Sequence, residues 1–312
     1  MAARSLSRSG EFLMDERLSR ARIALEGLSV GDSFGEKLAS QARNLEHIVT
    51  NRIVPDGVWA WTDDTNMALS IYENLRKYGE IVQTDLAQSF AKHFDWGRGY
   101  GMGAARLLSA IQSGYHWQEI SPQLFGGKGS YGNGAAMRIA PLGAFFADDM
   151  DALIENAQRS SVITHTHPEG IAGAIAVAVG AAIAWQHQHD ALTSDAFLSM
   201  ISSHIPESTV KNKVEIARTL PKETSLKELV AILGNGSLVS AQDTVPLVLW
   251  MSAHYLKDFE AALWHTALAA GDIDTTCAMV GGIVACAVGV SGIPREWIMH
   301  REPLPTWPFE DE

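Results

Sequence analysis

Two long stretches of this sequence carry no charged residue and are rich in glycine and alanine, at residues 170–185 and 278–293. Each is 16 residues long, whereas a membrane-crossing helix needs about 20 apolar residues. A helix that is apolar on every side is stable in water only inside a globule. Both stretches are therefore predicted to be buried core helices, and no membrane role is expected.

Helical periodicity extends beyond these two stretches. Apolar residues recur at steps of three and four, as at Leu18, Ala21, Leu25 and Leu28, and Gly79 is a plausible helix stop after Tyr78. Runs that alternate like strands are scarce. Further helices are predicted near 84–94, 101–113, 134–146, 149–161, 168–188, 192–203, 243–255, 258–269 and 274–289. The predicted fold class is all-α.

Composition limits the class of partner and the number of domains. With 46% hydrophobic and 19% charged residues the chain can form a sizeable core. A net charge of -12 argues against general nucleic-acid binding, because it repels phosphate backbones. No linker divides the chain, so residues 15–300 are predicted to be one domain, with a flexible N-terminus at 1–14 and a tail at 301–312. A monomer is favoured.

The two cysteines, Cys277 and Cys286, are too few for a disulfide framework, and their spacing matches no zinc motif. No apolar run of signal-peptide length follows the N-terminus. These features predict a reducing, cytoplasmic setting.

Two segments concentrate oxygen ligands directly before predicted helices: WTDDT at 61–65 and GDIDTT at 271–276. Helix capping explains one such segment, since Asp and Thr satisfy free N–H groups at a helix start. Two adjacent carboxylates cannot both be caps, and clustered carboxylates repel unless a cation neutralises them. If the segments meet, they form an all-oxygen site whose four carboxylates suit a pair of magnesium, manganese or calcium ions. The site is made of Thr62, Asp63, Asp64, Asp272, Asp274 and Thr275.

The segment FGGKGSYGNG at 125–134 has five glycines in ten residues and runs into a helix predicted to begin at Ala135. Glycines let backbone N–H groups approach an anion, and a helix N-terminus favours one, so this is a candidate phosphate cradle. A flexible surface loop is the alternative. Phe125 and Tyr131 favour the first interpretation, because aromatic rings can stack on a base. In THTHPE at 164–169, His165 is a candidate polar contact to the ligand.

Taken together, these segments resemble the ADP-ribosylglycohydrolase family. The matching pieces occur in family order over about residues 18–297. They are GDSFG at 31–35, WTDDTNM at 61–67, RGYG at 98–101, GNGAAMR at 132–138, Thr164 and His165 with Pro168, and GDIDT at 271–275.

The resemblance implies a compact all-α domain with two Mg²⁺ ions, or Mn²⁺, on the six oxygen ligands named above. It also implies that ADP-ribose binds at Phe125, Gly129, Ser130, Tyr131, Gly132, Asn133, His165, Gly99 and Gly101. The diphosphate then lies on residues 129–133 and His165 touches the ligand near the ribose. The expected activity is magnesium-dependent hydrolysis of the bond between C1'' of the distal ribose and a nitrogen or oxygen of an acceptor.

The general base departs from the family pattern. Many members have a glutamate where this chain has Ala39, and here a carboxylate follows Gly35 directly, as Glu36. Asp95 aligns with an acid that arginine-specific members use, so Glu36 and Asp95 are the two candidates. Two other functions remain open: a non-catalytic ADP-ribose-binding or crystallin-like structural protein, and a two-metal phosphoesterase.

Overall fold

A computed structural model describes residues 8–310, so residues 1–7 of the predicted flexible N-terminus and residues 311–312 lie outside the described part. Residues 8–14 form the first two turns of helix α1. The helices, in chain order, are α1 (Arg8–Ala39), α2 (Leu45–Thr50), α3 (Asp63–Tyr78), α4 (Gln83–Lys92), α5 (Met102–Gln112), α6 (Trp117–Ile120), α7 (Leu124–Gly127), α8 (Ala140–Phe145), α9 (Met150–Val162), α10 (Pro168–Gln186), α11 (Ser194–Ser202), α12 (Thr209–Thr219), α13 (Leu226–Leu233), α14 (Ala241–His254), α15 (Phe259–Leu268), α16 (Ile273–Val288) and α17 (Arg295–His300). No strand occurs between residues 8 and 310, and the predicted all-α class is confirmed.

One predicted helix is wrong. Residues 134–146 do not form a continuous helix: a single 3-10 turn spans Asn133–Ala135, and α8 begins only at Ala140. Pro141 lies in the first turn of α8, where its missing N–H costs no hydrogen bond. The glycine-rich loop therefore leads into one tight turn rather than into a long helix with a strong dipole.

The two apolar stretches are core helices, as predicted. α10 is long and apolar enough to cross a bilayer, yet 78% of its most apolar window is buried inside the protein. It packs against α8, α9, α14 and α16. α16 in turn packs along α1 and α15. These contacts give a single core that draws on helices from the whole length of the chain.

The closest helix pair is α1 with α16. Gly27, Gly31 and Gly35 lie one turn apart on α1 and face α16. A Cβ on Gly31 would lie 2.1 Å from the carbonyl oxygen of Cys277, and one on Gly35 would lie 2.6 Å from Cα of Asp274. The two backbones are thus in contact, and the beginning of α16 lies beside the last turns of α1.

The segment predicted as a tail is attached to the domain as far as Glu310. The N–H of Trp59 donates to the carbonyl of His300 at 2.7 Å, and the N–H of Glu302 donates to the carbonyl of Trp59 at 2.8 Å. Further along, the Trp307 ring stacks on His93 with the ring centres 3.6 Å apart. Residues 300–310, which we call the C-terminal strap, therefore cover the segment that leads into α3.

The glycine seam gives a direct test of the fold. Gly31→Ala should lower the free energy of unfolding by about 3 kcal/mol or more, because its methyl group meets backbone rather than a mobile side chain. Gly101→Ala is the matched control, since among the described residues no atom beyond its chain neighbours lies within 4 Å of its Cβ position, and its φ is -61°. At a helix N-cap it should cost about 1 kcal/mol or less. Urea unfolding measures both, and equal effects would contradict the close packing.

Candidate functional site

The two acidic segments lie side by side in the structure. Asp63 and Asp64 are the first two residues of α3, and Asp272 and Asp274 flank Ile273, the first residue of α16. The two helix starts lie beside each other because α16 and α3 both pack against α1. Repulsion from Asp272 and Asp274 raises the pKa of both Asp63 and Asp64 further than burial alone does. The segments separated by about two hundred residues in the chain thus form one cluster, which we call the acid cluster.

Helix capping does not account for these residues. The N-cap residues of α3 and α16 are Thr62 and Asp272, and neither makes a side-chain cap hydrogen bond. Instead the Thr62 hydroxyl lies 2.8 Å from Asp32 and 3.0 Å from Asp64, and the Thr275 hydroxyl lies 3.5 Å from Asp64. The polar groups face one another across the cluster.

Asp32 is a fifth carboxylate of the cluster and was missed among the candidate ligands, although it lies in the GDSFG motif. It is fully buried on α1. Its carboxylate accepts hydrogen bonds from the backbone N–H of Thr62 at 2.9 Å and of Thr65 at 3.1 Å, and from both threonine hydroxyls. Asp32 therefore holds the first turn of α3 against α1.

Burial dominates the electrostatics of the cluster, because water cannot solvate the charged carboxylates there. It raises the pKa of Asp32 to about 7, with repulsion from Asp274 adding to it and the Thr65 and Thr62 hydrogen bonds opposing it. Burial and Asp274 likewise raise the pKa of Asp272 to about 7, against the hydrogen bond from Asn133. For Asp63 and Asp64, burial followed by repulsion from Asp32 raises the pKa well above its usual range.

One oxygen of the cluster has no hydrogen-bond partner among residues 8–310. Oδ1 of Asp64 is buried and accepts no hydrogen bond from the described residues. Such an atom costs free energy unless another group satisfies it, and a hard cation is one that can. Between residues 8 and 310, no group of three or more Asp, Glu, His or Cys side chains is already arranged to hold a metal ion. The donor chemistry therefore fits a hard cation, but the carboxylates are not arranged as a complete coordination shell.

A cavity of about 520 Å³ opens above the acid cluster. This volume lies within the range of roughly 300–1,000 Å³ that is typical of small-molecule sites. The predicted residues that line it are Asp63, Gly99, Gly101, Phe125, Ser130, Tyr131, Gly132, Asn133, His165, Asp272, Asp274 and Thr275. Thr62, Asp64 and Gly129 are predicted site residues that do not line it.

The glycine-rich loop forms one wall of this cavity. Gly129 has a φ of +72°, and a Cβ there would lie 2.0 Å from the hydroxyl of Thr166, so only glycine fits. Ser130 is buried, and its hydroxyl accepts the N–H of Gly132 at 3.2 Å. Asn133 donates from Nδ2 to Asp272 at 2.7 Å, which ties the loop to the acid cluster.

His165 lies behind the loop with a neutral imidazole. Its side chain is buried, and burial followed by the charge of Arg138 lowers its pKa to about 3. Nδ1 lies 2.7 Å from the hydroxyl of Thr164, and Nε2 lies beside Gly132 and Gly134, where it lines the cavity. A neutral ring with one nitrogen held can offer a hydrogen bond to a ligand but carries no charge at physiological pH.

The mouth of the cavity is apolar. Phe125 and Tyr131 are exposed, with ring centres 6.1 Å apart, and Phe125 adopts a φ of +53° in a distorted turn. Leu238 and Val239 line the cavity from the loop before α14 and are exposed too. Sequence patterns did not indicate these last two residues, because their role depends on α14 being folded against the glycine-rich loop, where the N–H of Ala241 donates to the carbonyl of Tyr131.

Arg138 is another lining residue that was not singled out as a site residue, although it ends the GNGAAMR motif. Its side chain is fully buried, with the guanidinium 4.5 Å from the ring centre of Phe90 and donating to the carbonyl of Ser160. Burial lowers its pKa to about 9, against the opposing effect of Tyr100 and Asp63. It supplies positive charge close to the acid cluster.

The two candidate bases lie outside the cavity lining. Asp95 is 62% exposed at its side chain, accepts the N–H of Gly97 and so begins a 3-10 turn. Glu36 is half-buried in the last turns of α1, and burial and repulsion from Asp274 raise its pKa. Of the two, Glu36 is the carboxylate that interacts with the acid cluster.

Comparison with known proteins identifies a matching family and several relatives. The family model for ADP-ribosylglycohydrolase matches residues 13–307. ADP-ribosylhydrolase ARH3 of Xenopus tropicalis is 28% identical, over 93% of this chain and 93% of its own length. The human ADP-ribosylhydrolase ARH3 is 27% identical, over 90% of this chain and 88% of its own length. ADP-ribosylarginine hydrolase Tri1 of Pseudomonas putida is 25% identical, over 94% of this chain and 76% of its own length.

A solved structure has the same fold. The chain described as an ADP-ribosylglycohydrolase-related protein complex superposes with a TM-score of 0.64 and 23% identity, covering 92% of this chain and 94% of its own. The family model covers nearly the whole sequence, including every segment that forms the cavity. The chain therefore belongs to the ADP-ribosylglycohydrolase family of hydrolases.

Proposed function

We propose that this protein binds ADP-ribose in the cavity above the acid cluster and hydrolyses the bond between C1'' of the distal ribose and a nitrogen or oxygen of an acceptor. The observation that carries this proposal is the position of the acid cluster at the floor of a cavity with a glycine-loop wall and an aromatic mouth. Family membership adds the substrate class, since the relatives are called ADP-ribosylhydrolases.

The cluster is proposed to hold two Mg²⁺ ions, with Mn²⁺ as an alternative. The ligands would be Thr62, Asp63, Asp64, Asp272, Asp274 and Thr275, all oxygen donors, and the unpartnered oxygen of Asp64 supports this assignment. When bound, such ions offset carboxylate charge, orient ribose hydroxyls and lower the pKa of a water molecule. Asp32 would orient the metal ligands rather than bind the ions itself, because its hydrogen bonds fix Thr62 and the start of α3.

The cavity walls suggest how ADP-ribose lies. Residues 130–133 line the cavity and are proposed to hold the diphosphate, since a glycine-rich loop lets an anion approach the backbone without a bulky side chain in between. Phe125 and Tyr131 at the mouth suit the adenosine end. The distal ribose then reaches the acid cluster, where neutral His165 offers a hydrogen bond and no competing positive charge.

The hydrolysis requires a carboxylate that accepts a proton from water as the water oxygen bonds to C1''. The acceptor leaves with the electrons of the broken C1'' bond and then takes up that proton. Glu36 is our candidate, because its carboxylate interacts with Asp274 and its raised pKa makes it a better proton acceptor than an ordinary glutamate. Holding water, ribose and carboxylate together would replace a collision of separate molecules by a reaction within one complex.

Binding of ADP-ribose without turnover is the second candidate function. The observation that favours it is that neither Glu36 nor Asp95 lines the cavity. A protein with this function would keep the glycine loop and aromatic mouth but lack a base in reach of the ribose. Calorimetry with ADP-ribose, together with a turnover assay, separates the two candidates.

The test of the proposed function is release of free ADP-ribose from peptides ADP-ribosylated on arginine or on serine, with and without added Mg²⁺. We expect release that requires the ion, and the preferred peptide identifies the acceptor linkage. Tight ADP-ribose binding without release would support the second candidate. Release of phosphate or AMP instead would indicate a phosphoesterase.

Substitution in the acid cluster tests the catalytic role of the carboxylates. Asp63→Asn and Asp274→Asn should each lower kcat/KM by about a hundredfold or more and weaken Mg²⁺ binding, because each removes a charged ligand. Asp151→Asn, an exposed residue in the first turn of α9, is the control and should match the wild type. Full activity of both cluster variants would mean that these acids have only a structural role.

The choice of base is tested by Glu36→Gln and Asp95→Asn, which change charge and leave shape almost unchanged. Glu36→Gln should lower kcat by about a hundredfold or more, while Asp95→Asn should cost much less, since Asp95 is exposed and already accepts the N–H of Gly97. The reverse order would assign the base to Asp95. Rate measurements at saturating substrate decide between them.

The raised pKa values of the cluster predict how stability depends on pH without metal. Asp32 and Asp272 have pKa values of about 7 in the folded protein, against about 3.9 when unfolded. Folding thus favours the protonated carboxyls, so their stabilising contribution is complete below about pH 4 and is lost as pH rises to 7 and beyond. In EDTA, Tm should be lower at pH 8 than at pH 5.5.

Added Mg²⁺ should raise Tm more at pH 8 than at pH 5.5, because protons compete for the same carboxylates. Asp274→Asn is the control: it removes a charge that raises both pKa values, so the pH dependence should flatten. A metal-free Tm that does not change over this interval would contradict the proposed electrostatics.

A further inference from the structure

The C-terminal strap holds Arg98, which directly precedes Gly99 of the cavity wall, by a paired contact. Glu302 forms a two-pronged ion pair with Arg98: Nη1 donates to Oε2 at 2.7 Å and Nη2 donates to Oε1 at 2.9 Å. The pKa of Glu302 is lowered chiefly by these hydrogen bonds. Such paired contacts fix the plane of the guanidinium as well as its position.

Arg98 is held on its other side by the segment that leads into the acid cluster. Its guanidinium carbon lies 3.4 Å from the ring centre of Trp61, and Nη1 also donates to the carbonyl of Trp61 at 2.8 Å. Trp61 directly precedes Thr62 and Asp63. Arg98 is therefore enclosed between the strap and the start of the acid cluster, with its side chain only 19% exposed.

The residues after Arg98 form part of the cavity wall. Gly99 and Gly101 line the cavity, and a Cβ on Gly99 would lie 3.7 Å from Oδ1 of Asp63. The backbone of this loop thus borders a carboxylate of the cluster. Gly99 follows Arg98 directly in the chain, so the contacts that fix Arg98 lie next to the backbone that borders the cavity.

The strap itself is anchored independently of Arg98. Its backbone pairs with Trp59, the ring of Trp307 stacks on His93, and the guanidinium of Arg22 lies 3.7 Å from the ring centre of Phe309. Arg301, beside Glu302, forms a largely buried ion pair with Glu26 of α1 at 3.2 Å. Glu302 is thus presented to Arg98 from a rigid support, unlike a mobile surface carboxylate.

We propose that Glu302 is a positioning residue of this site: through Arg98 it sets the place of the loop at residues 97–101 against Asp63 and so the fit of the ligand. This inference rests on the proposed function for its effect on catalysis. It assigns a role in the site to a segment that lies more than two hundred residues after the loop it positions.

The experiment compares Glu302→Gln with Glu296→Gln. Both remove one negative charge at constant shape, and Glu296 is exposed on α17. For Glu302→Gln we expect KM for an ADP-ribosylated peptide, and the calorimetric Kd for ADP-ribose, to rise by about tenfold, because small displacements of a positioning group are costly. Glu296→Gln should match the wild type in both.

Hydrogen exchange gives a readout that does not depend on turnover. Amide exchange in residues 95–103 should become severalfold faster in Glu302→Gln and stay unchanged in Glu296→Gln. Arg98→Lys should have the same effect, since lysine cannot make the paired contact. Combined with Glu302→Gln it should add little, because both changes remove one interaction.

The proposal is overturned if Glu302→Gln matches Glu296→Gln in KM, Kd and exchange. It is also overturned if Glu302→Gln lowers only kcat and Tm, because a smaller folded fraction reduces kcat and leaves KM unchanged. If the wild type releases no ADP-ribose from any peptide, the proposed catalytic function fails, and the exchange and Kd of the variants still decide whether Glu302 positions the loop.

Discussion

The contact between α1 and α16 is the constraint on which the site depends. Gly27, Gly31 and Gly35 bring the two helix backbones into direct contact, and a methyl group at any of them would meet backbone or a buried side chain. This approach places Asp32, late in α1, beside Asp274, at the start of α16. The start of α3 joins them because Asp32 accepts hydrogen bonds from Thr62 and Thr65.

Electrostatic cost follows from that geometry. The packing forces several carboxylates into a poorly solvated volume, where burial and then repulsion between carboxylates raise the pKa of Asp32, Asp63, Asp64 and Asp272. Such an arrangement is unfavourable for an unliganded protein and favourable once cations are bound. The proposed Mg²⁺ binding would explain why a chain with a net charge of -12 concentrates acid next to the proposed site of an anionic diphosphate. Arg138 and the Arg98–Glu302 pair lie at the edges of the same region.

The sequence was informative where the signal is local. Periodicity predicted α10 and α16, and the motifs predicted the family, because both depend on spacing within a few residues. The predicted helix over 134–146 was wrong. Apolar residues continue through this segment, but its backbone forms a 3-10 turn at Asn133–Ala135 and α8 begins only at Ala140.

Residues whose role depends on distant partners could not be found in this way. Asp32 was part of a quoted motif, yet only the packing of α1 on α3 and α16 shows that it supports Thr62. No local sequence pattern marks Leu238, Val239 or Glu302. Leu238 and Val239 line the cavity together with residues distant in sequence, and Glu302 contacts Arg98, which lies next to the cavity wall. The sequence identified Glu36 and Asp95 as candidate bases, but it did not show that both lie outside the cavity lining.

The central claim is that the acid cluster binds the divalent cations that act on the ribose of ADP-ribose. Diffraction from crystals grown with Mn²⁺ and ADP-ribose, recorded at the manganese absorption edge, tests it most directly. We expect anomalous peaks among Asp63, Asp64, Asp272 and Asp274, with the distal ribose next to them. ADP-ribose bound elsewhere, or in this cavity with no manganese at the acid cluster, would contradict the account.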